Sequence, residues 1–158
     1  MPTKKRTRTA IFHEPDWPDT IAVRAVRLGD LVVQRMTALL EPFGITPLQY
    51  NVLRILYMRD EANEGLPIGV IGSALVSLAT DVTRLIDRLE KLGHLERVRK
   101  ADDRRVVRVR LTDAGFGLGE EIHGPLVAHH RGLLGKIPKG EQKRIAEELQ
   151  RVLEQFKT

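Results

Sequence analysis

Residues 80–112 read TDVTRLIDRLEKLGHLERVRKADDRRVVRVRLT. Val82, Leu85, Ile86 and Leu89 fall at the i, i+3, i+4, i+7 spacing of one buried helical face. Asp81, Thr83, Arg84, Asp87, Arg88 and Lys91 occupy the opposite face. Gly93 supplies the helix stop, as glycine does just past a helix end. Two runs follow, Leu95–Arg99 and Val106–Leu111, mixing arginine with leucine or β-branched residues. Lys100-Ala101-Asp102-Asp103-Arg104-Arg105 lies between them, polar and turn-like. The pattern predicts a helix followed by a hairpin with a charged tip.

From residue 79 to 110 there are ten Lys or Arg and six Asp or Glu, a net of +4. A helix with an arginine-bearing outer face fits the major groove of B-DNA, and a basic hairpin fits beside it. Helix, glycine and hairpin in that order form the second half of a winged helix-turn-helix. Thr80, Thr83, Arg84 and Arg88 are then candidates for the major groove, with Asp81 beside them on the outer face. Lys100 and Arg104 are candidates for phosphate contact, and Arg105 for a minor-groove or phosphate contact at the tip, with Asp103 positioned to pair with its guanidinium.

The same residues resemble the MarR family of bacterial transcriptional regulators, whose wing has the pattern D-x-R-x-x-x-V-x-L-T. Asp103, Arg105, Val109, Leu111 and Thr112 fill its five fixed positions, and Gly115 follows. VTRLIDRLEKLGHLER resembles the family's recognition helix and first wing strand, and TPLQYNVLRIL, starting at Thr46, its second helix. Similarity runs from about Ala22 to Phe156 and is strongest in the centre. The resemblance implies a homodimer joined through its N- and C-terminal helices, binding a pseudo-palindromic operator in double-stranded DNA. It also implies a repressor that lets go of DNA when a small aromatic or lipophilic ligand enters between the dimerising and reading parts.

Upstream of the quoted stretch, residues 1–17 carry Lys4, Lys5, Arg6 and Arg8 and read as a flexible basic arm. A long helix is expected over 19–41, starting near Pro18 or Asp19 and ended by Pro42 and Gly44. Ile21, Ala25, Leu28, Val32, Met36 and Leu39 give it a near-heptad stripe. Thr46 and Pro47 open the next helix as N-cap and first residue, with Leu48, Val52, Ile55 and Leu56 on its buried face. Leu66–Ile68 is expected as a short strand completing a three-stranded sheet, Val70–Leu75 as a short helix, and Ser77 as a cap for the reading helix.

Downstream, a glycine-rich helix is expected from Asp113 to Gly135, kinked at Gly124-Pro125, with Leu118, Ile122, Leu126 and Leu133 on one side. Glu141–Phe156 reads as a final helix with Ile145, Leu149, Val152 and Phe156 at 4-3-4 spacing, a coiled-coil-like seam. With Ile21 and Leu28 these four are the dimerisation candidates. The fold class is mostly α (α+β). Residues 18–158 are read as one domain, with a DNA-binding part at about 46–112 and a dimerisation part at about 18–42 and 113–158.

The chain has 158 residues, 42% hydrophobic and 30% charged, ordinary for a soluble globular protein. Its net charge of +5 suits a polyanion or an anionic membrane surface. The positive excess lies in residues 1–10 and 79–110, while 113–158 are neutral; this favours nucleic acid over a membrane. No cysteine is present, which removes disulfides, thiolate metal sites and thiol nucleophiles. No apolar h-region follows the basic N-terminus and no run reaches the ~20 residues of a membrane span, so a cytoplasmic protein is expected. P-loop, G-x-S-x-G and H-E-x-x-H motifs are all missing, and no enzymatic activity or cofactor is expected.

Two further groups stand out. Glu120 and His123 share a helical face at i, i+3, the start of a metal site, and His129 and His130 follow. His123 and His130 would lie about 10 Å apart along the axis, too far for one ion on a straight helix. Solvated or packed histidines and no metal are therefore the reading, with a zinc-responsive regulator as the alternative and a constitutive DNA-binding protein as another. Trp17, Arg24, Arg27, Tyr50 and Tyr57 are candidate walls for a pocket taking a small aromatic acid, whose carboxylate would pair with an arginine.

Overall fold

The structure is a computed structural model and describes residues 16–75, 81–99 and 106–155. Its elements are α1 (Trp17–Leu40), a 3-10 turn (Glu41–Phe43), α2 (Pro47–Arg59), β1 (Leu66–Pro67), α3 (Ile68–Ala74), α4 (Val82–Lys91), β2 (Leu95–Val98), β3 (Arg108–Leu111), α5 (Asp113–Leu134) and α6 (Lys139–Gln155). They fall into two compact units, Met1–Ala38 and Leu39–Thr158. The basic arm lies outside the described residues.

The first unit is the body of α1. Asp16 Oδ1 accepts the Asp19 N–H at 3.0 Å, so the helix opens at Trp17, a residue or two earlier than expected. Ile21, Val23, Val26, Leu28, Leu31 and Val33 are all exposed along it.

In the second unit the 3-10 turn ends at Gly44, whose φ of +68° suits glycine and whose N–H reaches Glu41 O. A full capping box then starts α2. Thr46 N–H donates to Gln49 Oε1 at 2.8 Å, and Gln49 N–H donates to Thr46 Oγ1 at 3.3 Å. This reciprocal pairing explains why Gln49, alone among the polar side chains of the described residues, can be buried. Val52, Ile55 and Leu56 are buried as expected, joined by Tyr50 and Leu53, whereas Leu48 is only half-buried. The core forms where α2 packs on α4 and α5 and where Ile71, Val109 and Leu111 close its ends.

The connection after α2 is built, not slack. Asp60 accepts the N–H groups of Glu64 and Gly65 at 3.0 and 2.8 Å, and Asn63 Nδ2 donates to Leu111 O at 3.1 Å. Arg108 donates to Gly65 O at 2.9 Å. These bonds seat β1 against β3, giving the antiparallel order β1-β3-β2. Gly72 of α3 leaves room for Val82, whose Cγ2 would lie 3.2 Å from an added Cβ. That contact packs α3 against the first turn of α4.

α5 runs through Gly124-Pro125 as one helix, so the proline does not divide it. Its apolar side is only partly used: Ile122 and Leu126 are buried and Leu118 half-buried, but Leu133 is exposed. α6 begins at Lys139, two residues earlier than expected, and none of its described residues is buried.

Candidate nucleic-acid interface

α4 is bounded by local chemistry at both ends. Asp81 is its N-cap, the carboxylate accepting the Arg84 N–H at 3.2 Å. The expected cap, Ser77, lies outside the described residues. Asp81 was expected on the outer face as a DNA contact; the structure turns its carboxylate to the helix's own amide. At the far end Gly93 (φ +78°) donates to Glu90 O, and His94 N–H to Leu89 O, the paired bonds of a Schellman stop.

Between these ends the helix is sharply two-sided. Ile86 and Leu89 are 0% exposed, and Val82 and Leu85 are half-buried. Arg84, Arg88 and Lys91 lie at i, i+4, i+7, which at about 100° per residue places them on the side opposite Ile86 and Leu89. All three are exposed, as is Thr83, and none has an acidic partner among the described residues. Asp87 and Glu90 are held instead by Arg97 of β2: its Nη2 lies 2.5 Å from Asp87 Oδ1, and its Nη1 bonds Glu90 Oε2. The hydrogen bond to Asp87 holds the guanidinium's pKa above its ordinary value, against the opposing effect of burial.

Register explains this placement. Leu95 pairs with Leu111 and Arg97 with Val109, so Arg97 shares the face of the two leucines that covers α4. Glu96 pairs with Arg110 on the other face, and Arg110 Nε lies 2.7 Å from Glu96 Oε1. Two strand arginines, Arg97 and Arg110, are thus paired with acids, whereas Arg84, Arg88 and Lys91 of α4 have no acidic partner among the described residues.

Of the sequence-derived DNA contacts, the structure brings Thr83, Arg84 and Arg88 to one exposed surface and adds Lys91. Thr80, Lys100, Asp103, Arg104 and Arg105 lie outside the described residues. Sequence reasoning missed the role of Arg97, whose only early signal was its place two residues after Leu95 in an alternating strand.

A cavity of about 280 Å³ lies between α2 and α5, walled in part by Tyr50, Arg54, Tyr57, Gly119, Glu120 and His123. Tyr50 is where a pocket residue was expected; burial raises its phenol pKa, with Arg54 opposing. Tyr57 meets Phe116 edge-on at 6.0 Å between ring centroids. Arg54, Glu120 and His123 were not singled out for this pocket, although Arg54 is one turn after Tyr50. Trp17, Arg24 and Arg27 sit on α1, in the other unit, and are exposed. Among the described residues no three of His, Asp and Glu are grouped as metal ligands. His129 and His130 have ring centroids 6.1 Å apart, and burial holds His130's pKa down, helped by His129 and Arg54.

The dimerisation candidates Ile21, Leu28, Ile145, Leu149 and Val152 are exposed in the single chain, and Phe156 lies outside the described residues. No described helix is long and apolar enough to cross a membrane.

Residues 43–106 match the MarR family model. The HTH-type transcriptional regulator PecS of Dickeya dadantii is 26% identical over 126 residues, 80% of this chain and 75% of that one. Among solved structures, the Staphylococcus aureus MepR–DNA complex is similar at TM-score 0.74 and 24% identity, covering 90% of this chain and 99% of that chain. CouR of Rhodococcus jostii bound to p-coumaroyl-CoA is similar at TM-score 0.74 and 22% identity, covering 88% and 95%. At these identities the structural likeness establishes the fold, and the curated relatives carry the names of transcriptional regulators, which are not enzymes. By its matched segment, its relatives and its winged-helix architecture, this chain is similar to MarR-family transcriptional regulators, the family's own signature covering residues 43–106.

Proposed function

We propose that this protein is a cytoplasmic transcriptional regulator that reads double-stranded DNA as a homodimer. The observation that carries the reading is the stripe Arg84, Arg88 and Lys91, without acidic partners among the described residues, on the exposed side of a helix opposite the fully buried Ile86 and Leu89. An arginine at such a position reads guanine O6 and N7, and each pair discriminates by roughly 1–3 kcal/mol. Two-fold symmetry places two such helices about 34 Å apart on a pseudo-palindromic operator. The exposed Ile145, Leu149 and Val152 of α6, with Ile21 and Leu28 of α1, supply the apolar surface for the second copy. Selection of duplexes from a randomised pool with the full chain should enrich an inverted repeat with half-sites one turn apart. Enrichment of single half-sites, or of nothing, would overturn the reading.

The regulator is a repressor released by a small aromatic acid or similar lipophile. Support comes from the cavity beside Tyr50 and Tyr57, where Arg54, which can pair with a carboxylate, shares a wall of apolar residues with Glu120 and His123. CouR, with its bound aromatic thioester, has the same fold. A salicylate-like panel should include a compound that lowers DNA affinity about 5–150-fold. By reciprocity, saturating DNA must weaken that compound's binding by the same factor. Arg54→Ala should abolish the response while leaving DNA binding without ligand unchanged.

A further inference from the structure

The reading helix carries a charge problem whose solution its sequence alone does not reveal. Within Val82–Lys91 three cations are accompanied by two carboxylates, Asp87 and Glu90. Asp87 lies one turn after Thr83, on the flank of the exposed side that carries Arg84 and Arg88. Unopposed, both carboxylates would repel the phosphates the helix must approach. A guanidinium from the neighbouring strand meets both of them: Arg97 bonds Asp87 with one terminal nitrogen and Glu90 with the other. All three side chains are partly exposed, so such pairing contributes little to stability. A cation placed there changes what the DNA meets.

We propose that Arg97 is a positioning residue for DNA reading that acts through Asp87 and Glu90: it holds both carboxylates back from the duplex and offsets their charge, without touching the duplex itself. The inference rests on the DNA-binding role assigned to α4 above. It separates Arg97 from Arg84, Arg88 and Lys91, whose side chains face solvent and lack acidic partners among the described residues.

The test uses the full chain and the duplex enriched by the wild-type protein, with affinity measured across a salt series and folding followed by thermal melting. Arg97→Gln should weaken binding about tenfold at ~0.1 M salt, because two carboxylates are left unopposed beside the phosphates, and the deficit should shrink as salt rises. Adding Asp87→Asn and Glu90→Gln to Arg97→Gln should bring affinity back to within about threefold of wild type, because no carboxylate remains to be held. Asp87→Asn with Glu90→Gln and Arg97 intact should bind at least as tightly as wild type, and this variant decides the matter if Arg97→Gln melts too low to assay. Arg97→Gln binding within about twofold of wild type, or a triple variant as weak as Arg97→Gln, would overturn the proposal. If the wild-type protein enriches no duplex, the DNA reading fails and this inference with it. If wild type binds its duplex and only these variants disagree, the DNA reading stands and Arg97's role alone is lost.

Discussion

α4 and α6 are both amphipathic helices, and they end differently. α4 completes its burial inside its own chain, with Ile86 and Leu89 at 0% exposure. α6 has an equally regular stripe, yet Ile145, Leu149 and Val152 remain 46%, 45% and 39% exposed. Helices of this length draw most of their stability from packing an apolar face. α4 is thus a finished part of the fold, free to spend its polar side on a ligand. α6 has an apolar face still to cover. The contrast separates residues that hold the chain together from residues that the proposed dimer would cover.

The largest expected effect tests the finished half. Leu89→Ala should cost about 2–5 kcal/mol in urea unfolding, the range for truncating a fully buried leucine. Leu149→Ala in dilute protein should cost less than about 1 kcal/mol, as exposed positions do. Equal losses at the two sites would erase the distinction.

A second measurement sharpens the unfinished half. The melting temperature of the wild-type chain should rise with protein concentration, because association stabilises the folded form by mass action. Leu149→Glu with Val152→Glu should abolish that dependence and give monomers by sedimentation. A doubly substituted chain that still sediments as a dimer would remove α6 from the interface.

Next in size is Gly115→Ala. A Cβ there would lie 2.1 Å from His94 O, so backbone must move, and about 1–3 kcal/mol of stability should be lost. Gly119→Ala, where nothing lies within 4 Å of the added carbon, should be close to neutral or slightly stabilising. Asp81 gives the smallest effect. Asp81→Ala should cost about 1 kcal/mol, while Asp81→Asn keeps the cap and the stability. Should Asp81→Asn alter base preference in a selection, the residue reads DNA as well as capping α4.

Much of this was legible in residues 80–112 because the signals there are local. Apolar spacing, a glycine stop and two alternating runs each specify their own element, and the strands and α4 appear where those patterns place them. Boundaries were less legible. Ser77 and Asp81 are both good capping residues, and the choice depends on where the helix's first amide falls. Partners across elements were not legible at all. That Arg97 meets Asp87 follows from strand register, and that Arg54 and His123 share a cavity wall follows from how α2 packs on α5. Tyr50, one of the expected pocket walls, lines the cavity between α2 and α5. Trp17, Arg24 and Arg27 lie on α1, in the other unit, and are exposed.

One hydroxyl has a reach beyond its size. Thr112 Oγ1 donates to Gly93 O at 2.6 Å, just past the end of α4, and accepts the Gly115 N–H at 3.1 Å in the first turn of α5. Its own N–H donates to His94 O at 3.2 Å, the carbonyl against which Gly115 is seated. The tail of one helix and the head of another are thus joined main chain to main chain, with a single short side chain as the rivet. Flexible side chains absorb small displacements by changing rotamer; a joint of this kind has none to spare. A tilt of α5 at that fulcrum would bear directly on the backbone that ends α4.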